Sequence, residues 1–491
     1  MQSTPQTPTR TTALLLTAIG VGIAGDLFIP GGPWRAGFVL WMAVVAIAAL
    51  GLRPNRERTT LILGAAIAAA GLAWRDAEML FQIDLLSTLC MGALVAWHGT
   101  GHRLRELTVV QSARAAVIGV VTLATGAPAA LRDGAEHSAT RGALARRLRA
   151  LAIGIVLAIP PLTLVAGLLS ESDQRFEAYI VDIHRLLTTT AIHHLLTTAF
   201  VSWLALGWLR SATRDRVSTI VPEIRSPGLP FLTVSVGLSS MVALLALYLT
   251  TQAQALFGGA EHLLATVGLT PAEYARSGFA EMIVASIIVV TTLVLAEWLL
   301  RDDETERQWF GVIGGVLVVE VAALLLSAIV RMRLYIGEFG LTGGRVLAVA
   351  IMVLVAAALG VVLTTLPRKQ SARFAPRMLG VTIGWVALLN LVNPEAIVVR
   401  TNLARAAEGG TFDVAYHATL SGDAVAVLAE EAGRLPAPTC ATLATALTAH
   451  WAKRVAESSG DWRSEGVSSR RARAWYAAGG WLPCREEGAA Q

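Results

Sequence analysis

Charge is scarce in this chain of 491 residues: Asp, Glu, Lys and Arg supply 15% of it, against about 25% in an ordinary soluble domain. The shortage is uneven, because long stretches carry no charge and the arginines gather between them. A soluble globular fold is therefore excluded for most of the chain. The alternating pattern of barrel strands is missing as well, which excludes a membrane β-barrel. There are three cysteines, and no Cys/His spacing matches a zinc site. The chain has no Gly-rich loop ending in Lys-Ser/Thr, no His-Glu-x-x-His and no Gly-x-Ser-x-Gly. ATP-driven and standard hydrolase chemistry thus has no motif here, and nothing calls for a metal or a cofactor. The first apolar run lacks a small-x-small cleavage site and reads as a retained helix.

What is present is a series of apolar runs of roughly 20 residues, the length a helix needs to cross ~30 Å of hydrocarbon. Helices satisfy their own backbone groups in lipid, so the fold class is all-α. It is a polytopic transmembrane helical bundle of about 11 spans with a small α-helical extracytoplasmic C-terminal domain. The expected spans are 11–30, 34–52, 59–75, 78–98, 149–169, 191–210, 229–250, 278–300, 308–330, 344–365 and 376–395. Segment 106–131, with Gly126-Ala-Pro128, reads as a re-entrant or surface helix. The membrane domain is 1–397 and the soluble tail 398–491. In the tail, helices are predicted at 411–434, 439–458 and 468–478, with Pro436 and Pro438 breaking the first from the second.

Lys plus Arg number 40 against 35 Asp plus Glu. In a membrane protein this excess is a topology signal and gives no reason to invoke nucleic acid. With the N-terminus inside, the cytoplasmic segments hold 22 Lys/Arg and the outer connections 8. The layout is a bacterial plasma-membrane protein with a cytoplasmic N-terminus and an extracytoplasmic tail. An outside tail meets an oxidising compartment, so Cys440 and Cys484 are predicted to form a disulfide.

Ionisable residues inside spans are costly and draw attention. Asp26, Asp84, Glu281, Glu297 and Glu320 all lie within or near the ends of spans. A protonated or paired carboxylate between helices is the plain reading; a proton or ion relay is the functional one. His193-His194 reads as interfacial packing, because adjacent histidines point different ways on a helix.

The segment Gly268-Leu-Thr270-Pro271-Ala-Glu273-Tyr274-Ala-Arg276-Ser-Gly278-Phe-Ala-Glu281 has the signals of a capping box, with Pro in the first turn. Gly340-Leu-Thr342 repeats the capping signal before the tenth span. Between them lies Arg331-Met-Arg333-Leu-Tyr335. Arg331 and Arg333 are two apart and diverge by about 200° on a continuing helix. They converge on one ligand only if the helix ends near Val330. The predicted ligand site is extracytoplasmic and polar, built from Asp173, Tyr274, Arg276, Glu281, Arg331, Arg333, Tyr335 and Asn402. It would accept an anionic lipid headgroup or sugar phosphate, since arginine grips phosphate and carboxylate in bidentate fashion. A salt-bridged lock between loops is the competing reading.

Four segments resemble a known family. They are Leu168-Leu-Ser-Glu-Ser-Asp173-Gln-Arg-Phe176; Leu256-Phe-Gly-Gly259 with the capped segment up to Phe279; Ser327-Ala-Ile-Val-Arg331-Met-Arg-Leu-Tyr335 with Gly340-Leu-Thr342; and Asn393-Pro394 through Asn402, followed by Asp413, Tyr416 and Leu420-Ser-Gly-Asp423-Ala-Val425. On these residues the chain is similar to the bacterial membrane family called "domain of unknown function 4173". It departs from that pattern at Ala255 and Thr401, where the family has Tyr, and at Ala426, where it has Pro. The resemblance implies a bacterial multi-pass membrane protein and brings no activity. All four segments fall on one face of the predicted topology, as a site on the extracytoplasmic side would.

Three functions fit this reading. The first is a structural or signalling component of the cell envelope, held in the lipid bilayer, with the tail contacting a periplasmic or cell-surface protein partner whose identity is unknown. The second is an envelope enzyme, glycosyltransferase-like, acting on a lipid-linked or anionic substrate. The third is a transporter, for which Asp84 and Glu320 speak, although no internal repeat supports it.

Overall fold

The computed structural model describes residues 8–29, 34–52, 56–99, 103–104, 108–136, isolated positions between 154 and 180, 190–213, 226–257, 279–301, 303–365, 373–458 and 460–484. Within these residues the regular structure is helical, apart from one isolated bridge between Leu229 and Leu300. The bundle comprises α1 (Pro8–Phe28), α2 (Ala36–Leu52), α3 (Arg56–Trp74), α4 (Glu78–His98), α5 (Val109–Glu136), α6 (Thr190–Thr213), α7 (Phe231–Phe257), α8 (Phe279–Leu299), α9 (Glu304–Phe339), α10 (Gly343–Thr365) and α11 (Phe374–Val392). Eight helices of the described residues are long and apolar enough to cross a membrane, and Thr12–Phe28 and Ala36–Gly51 are shorter apolar helices. A helical membrane bundle follows. The expected span 149–169 falls mostly outside the described residues.

Two hydrophobic cores divide the bundle. One joins α1 to α6 through residues such as Leu61, Trp97, Ile118 and Leu209. The other joins α7 to α10 through Leu238, Leu293, Leu317 and Val362. Helix α11 lies between them, against α3 and α4 on one side and α10 on the other.

Of the two readings of segment 106–131, a re-entrant or a surface helix, the first is not met. No re-entrant turn occurs at Gly126-Ala127-Pro128, because α5 is one continuous helix with Pro128 inside it. Gly126 serves close packing instead: a Cβ there would stand 2.5 Å from the Cα of Gly207 in α6. Small residues permit this kind of backbone approach between membrane helices. The buried residues of α5, Ala115, Ile118, Ala127 and Ala130, share a core with Leu94, Trp97, Ala205 and Leu209. These belong to the last turns of α4 and α6.

Helix α9 does not end near Val330 but runs 36 residues to Phe339. Asp303 caps its start, accepting from the N–H groups of Thr305 and Glu306 at 2.9 and 3.0 Å. Gly340 ends it at φ +74°, a left-handed value that suits glycine.

The chain after α11 forms α12 (Pro394–Ala407), α13 (Val414–Ala418), α14 (Gly422–Glu431), α15 (Ala437–Glu457) and α16 (Val467–Ala477). The predicted helix 411–434 is therefore split, because Ser421 caps a new start by accepting from Asp423 N. Helix α12 has no counterpart among the helices predicted from sequence. Its signal is Asn393-Pro394: Asn393 adopts φ 54° and its side chain accepts from Ala396 N, with Pro in the first turn. These helices share a core of their own, with Val398, Leu403, Leu428, Leu443 and Leu447 at its centre and Leu341 inserted from the α9–α10 connection. Cys440 and Cys484 are bonded, with Cα atoms 5.6 Å apart.

Candidate functional site

Among the described residues, a dense polar cluster lies where the α3–α4 hairpin meets the tail. The hairpin turns through Arg75-Asp76-Ala77, with Ala77 in extended geometry, and α4 has no cap of its own. The cap comes from the tail. Asp423, in the first turn of α14, accepts the N–H groups of Asp76 at 2.6 Å and Ala77 at 2.9 Å. Asp76 in turn accepts the N–H of Gly422, at the start of α14, at 3.2 Å. Two helix starts from distant parts of the chain thus supply each other's acceptors, satisfying groups that burial would otherwise leave unpaired.

Three arginines neutralise this pair. Arg75 donates to Asp423 at 3.3 Å and to the carbonyl of Asn390 at 2.7 Å, closing the C-terminal end of α11. Arg35 donates to the carbonyl of Arg75 at 2.8 Å and lies 3.5 Å from the Asp76 carboxylate. Its guanidinium stacks over Phe81. Arg454 of α15 reaches Asp76 at 3.2 Å and stacks over Trp451. Ser468 donates to Asp423 at 2.6 Å. Burial alone would push the Asp76 carboxyl up. The charges of Arg454 and Arg35, with hydrogen bonds from Ser469 and Gly422, outweigh burial and hold it below its usual range.

Glu395, in the first turn of α12, is the opposite case. Burial chiefly, with the neighbouring Asp423 and Asp76, pushes it up to about 7, although Ser421 donates to it through both N–H and Oγ. Beside these groups opens a cavity of about 390 Å³, lined by Arg35, Asp76, Phe81, Glu395, Ser421 and Arg454 among others. One wall carries two arginines that share one carboxylate. Another carries a carboxyl that exchanges its proton near neutral pH.

In the site predicted from sequence, Tyr335, Asn402 and Asp173 each contact residues outside the predicted set. Because α9 continues past Val330, Arg331 is buried and Arg333 is exposed, on different faces. Tyr335 lies under the guanidinium of Arg345, 4.0 Å from ring centre. Asn402 is buried and pins the α9–α10 connection, accepting from Leu341 N and donating to Leu341 O, each at 2.7 Å. Arg405 holds the last carbonyls of α9, including Glu338 O at 2.7 Å, and Tyr416 Oη accepts from Gly343 N at the start of α10. This second grip is built from loop and helix ends. Asp173 is exposed and accepts from the N–H of Arg175 in the turn that follows it. Glu281 is exposed in the first turn of α8. Tyr274 and Arg276 lie outside the described residues. His194 meets Asp26 at 2.8 Å, joining α6 to α1.

Sequence reasoning passes over Arg35, Arg75, Asp76, Glu395 and Arg454. The available signal is Arg75-Asp76, a charged pair in a three-residue turn between two apolar helices. Asp423 and Asn393 stand among the motifs that resemble other proteins, and that likeness alone assigns them no role.

No curated protein and no solved structure matches the chain. A family model described as a domain of unknown function (DUF4153) matches residues 62–431. This is an uncharacterised family, as expected, but not the 4173 family expected from the motifs. The matched stretch starts within α3 and ends with α14, so it holds Arg75, Asp76, Glu395 and Asp423, while Arg35 and Arg454 lie outside it. A match over this much of the sequence makes the chain a member of the DUF4153 family.

Proposed function

We propose that this protein is a structural or signalling component of the bacterial cell envelope, set in the plasma membrane with its tail outside the cytoplasm. The cavity between bundle and tail binds a small anionic group, the phosphate of a lipid headgroup or of a sugar phosphate. The cavity carries this reading, because Arg35 and Arg454 both line it and share the carboxylate of Asp76, while Glu395 in the same lining is pushed up to about 7; Glu78 is the other acid there. A space of this size is in the range of small-ligand sites, and arginine suits phosphate geometry. Orientation is supported by the arginines. Arg56, Arg58, Arg103, Arg210, Arg301, Arg307 and Arg377 lie at or beyond helix ends remote from the tail, whereas the tail-facing connections hold few. The bonded cysteines suit an oxidising compartment.

The test uses purified protein in nanodiscs of zwitterionic lipid. Soluble glycerol phosphate, or phosphatidylglycerol added to the disc, is expected to raise the melting temperature saturably in wild type and not in Arg454→Gln. The two arms separate a free phosphate from a headgroup. No rise in either arm removes the anion site.

A second reading, an envelope enzyme, draws on Glu395, whose titration near neutral pH suits general acid–base work. A strain carrying Glu395→Gln at normal protein level and with unchanged envelope lipids would dismiss it.

A further inference from the structure

Asp84 lies inside α4, wholly enclosed, and Asn390 of α11 faces it. Asn390 Nδ2 donates to Asp84 Oδ1 at 2.9 Å and to the carbonyl of Val386 at 3.1 Å. That leaves two oxygens, Asp84 Oδ2 and Asn390 Oδ1. Both are buried and neither has a hydrogen-bond partner among the described residues. They lie beside the same point. A Cβ at Gly71 of α3 would collide with Asp84 Oδ2 and stand 2.7 Å from Asn390 Oδ1. Glycine at 71 is what leaves room for the carboxyl.

Two bare acceptors side by side repel, and an ionised carboxylate in such a place lacks compensation. The neighbouring polar groups do not supply it. Thr88 gives its hydroxyl to the backbone carbonyl of Asp84. Arg75 is engaged with the carbonyls of Asn390 and Leu391 and with Asp423. Arg35 is engaged with the carbonyls of Arg75 and Asp76. A single proton answers both orphan atoms. Placed on Asp84 Oδ2, it donates to Asn390 Oδ1, and acid and amide then close a ring of two hydrogen bonds.

We propose that Asp84 holds a proton at neutral pH and forms with Asn390 an acid–amide pair, a proton-binding site inside the helical bundle. The site is connected to the tail. The carbonyl of Asn390 is held by Arg75, and Arg75 holds Asp423. Loss of the proton sets two acceptors against each other at the base of that chain and acts first on the α3–α4 turn where the tail docks.

Infrared spectroscopy of the full-length protein in nanodiscs reads the site directly. The expected result is the carbonyl band of a protonated carboxylic acid at neutral pH, shifted by isotope-labelled aspartate and missing in Asp84→Asn. The amide of Asp84→Asn mimics the neutral acid, so this variant is expected to melt like wild type while Asp84→Ala melts lower. The labelling is done on wild type and stands even if a variant fails to fold. Absence of an aspartate acid band at neutral pH overturns the proposal, as does a band that survives in Asp84→Asn. If the missing band comes with a melting temperature raised by sodium or lithium chloride and not by choline chloride, the pair holds a metal cation. If there is no salt dependence, it holds a bare carboxylate.

Discussion

Asp76 and Asp423 stand 347 positions apart in the chain, and each accepts backbone N–H groups at the start of the helix beside the other. Asp423 serves Asp76 and Ala77 at the head of α4, and Asp76 serves Gly422 at the head of α14. At α4 the Asp423 carboxylate has no substitute, because that helix has no side-chain cap of its own, whereas α14 also has Ser421 as its cap. Replacing Asp423 by Ala leaves two buried N–H groups and the Arg75 guanidinium short of an acceptor. The expected loss is about 3–5 kcal/mol, the usual cost of stripping one partner from a buried ion pair. Asp423→Asn keeps the shape and loses less. Thermal unfolding followed by tryptophan fluorescence checks both, and equal melting of Asp423→Ala and wild type would contradict the interlock.

Two acidic groups of the docking site, Asp76 and Glu395, give it opposite pH limits. Asp76 has a depressed carboxyl, so its contribution is present above the unfolded value of ~4 and is lost as pH falls through its folded value. Glu395 is raised to about 7, so its contribution is full below the unfolded value of ~4.3 and is lost as pH rises through about 7. Docking is therefore strongest in mildly acid solution. The loss on going to alkaline pH is on the order of 3 kcal/mol for Glu395, since each tenfold change in proton affinity is worth about 1.4 kcal/mol. In Glu395→Gln, the decline of melting temperature between pH ~5 and ~8 is expected to be smaller than in wild type.

Cys440 and Cys484 tie the start of α15 to the chain beyond α16. Closing a loop of that size stabilises by ~2–4 kcal/mol through the unfolded chain. Reductant is expected to lower the melting of the tail, and Cys440→Ser with Cys484→Ser to reproduce the effect without reductant. Mass spectrometry of unreduced protein showing both thiols free would contradict it.

Alkaline phosphatase fused after Gln491 is expected to be active, and within 368–375 inactive. The reverse pattern would place the tail in the cytoplasm.

Helix existence is readable because lipid demands long apolar runs, and α4, α8 and α10 start and stop within about two residues of where hydropathy puts them. The end of α9 is not readable. Its last turns are polar enough to pass for a loop, and what keeps them helical is distant: Arg405 on their carbonyls and Asn402 on Leu341. The docking site is hidden for the same reason. Arg75-Asp76 is an unremarkable turn until Asp423 is brought against it, and no periodicity within α3 or α4 announces that meeting. Asp84 is visible as a charge out of place, but its partner, Asn390, carries no charge to draw notice.

The tail has two handholds, and they belong to different halves of the bundle. At one, Asp423 and Arg454 grip the turn after α3, within the α1–α6 half. At the other, Asn402 and Arg405 grip the end of α9, within the α7–α10 half. Helix α9, at about 54 Å, is far longer than the ~30 Å of hydrocarbon and carries the second handhold clear of it. A rigid yoke fastened at two points fixes the distance between them. The tail thus adds a second tie between the two halves on this side, beside the direct packing of Ala77 and Leu80, at the start of α4, with Ala350 of α10 and Leu389 of α11.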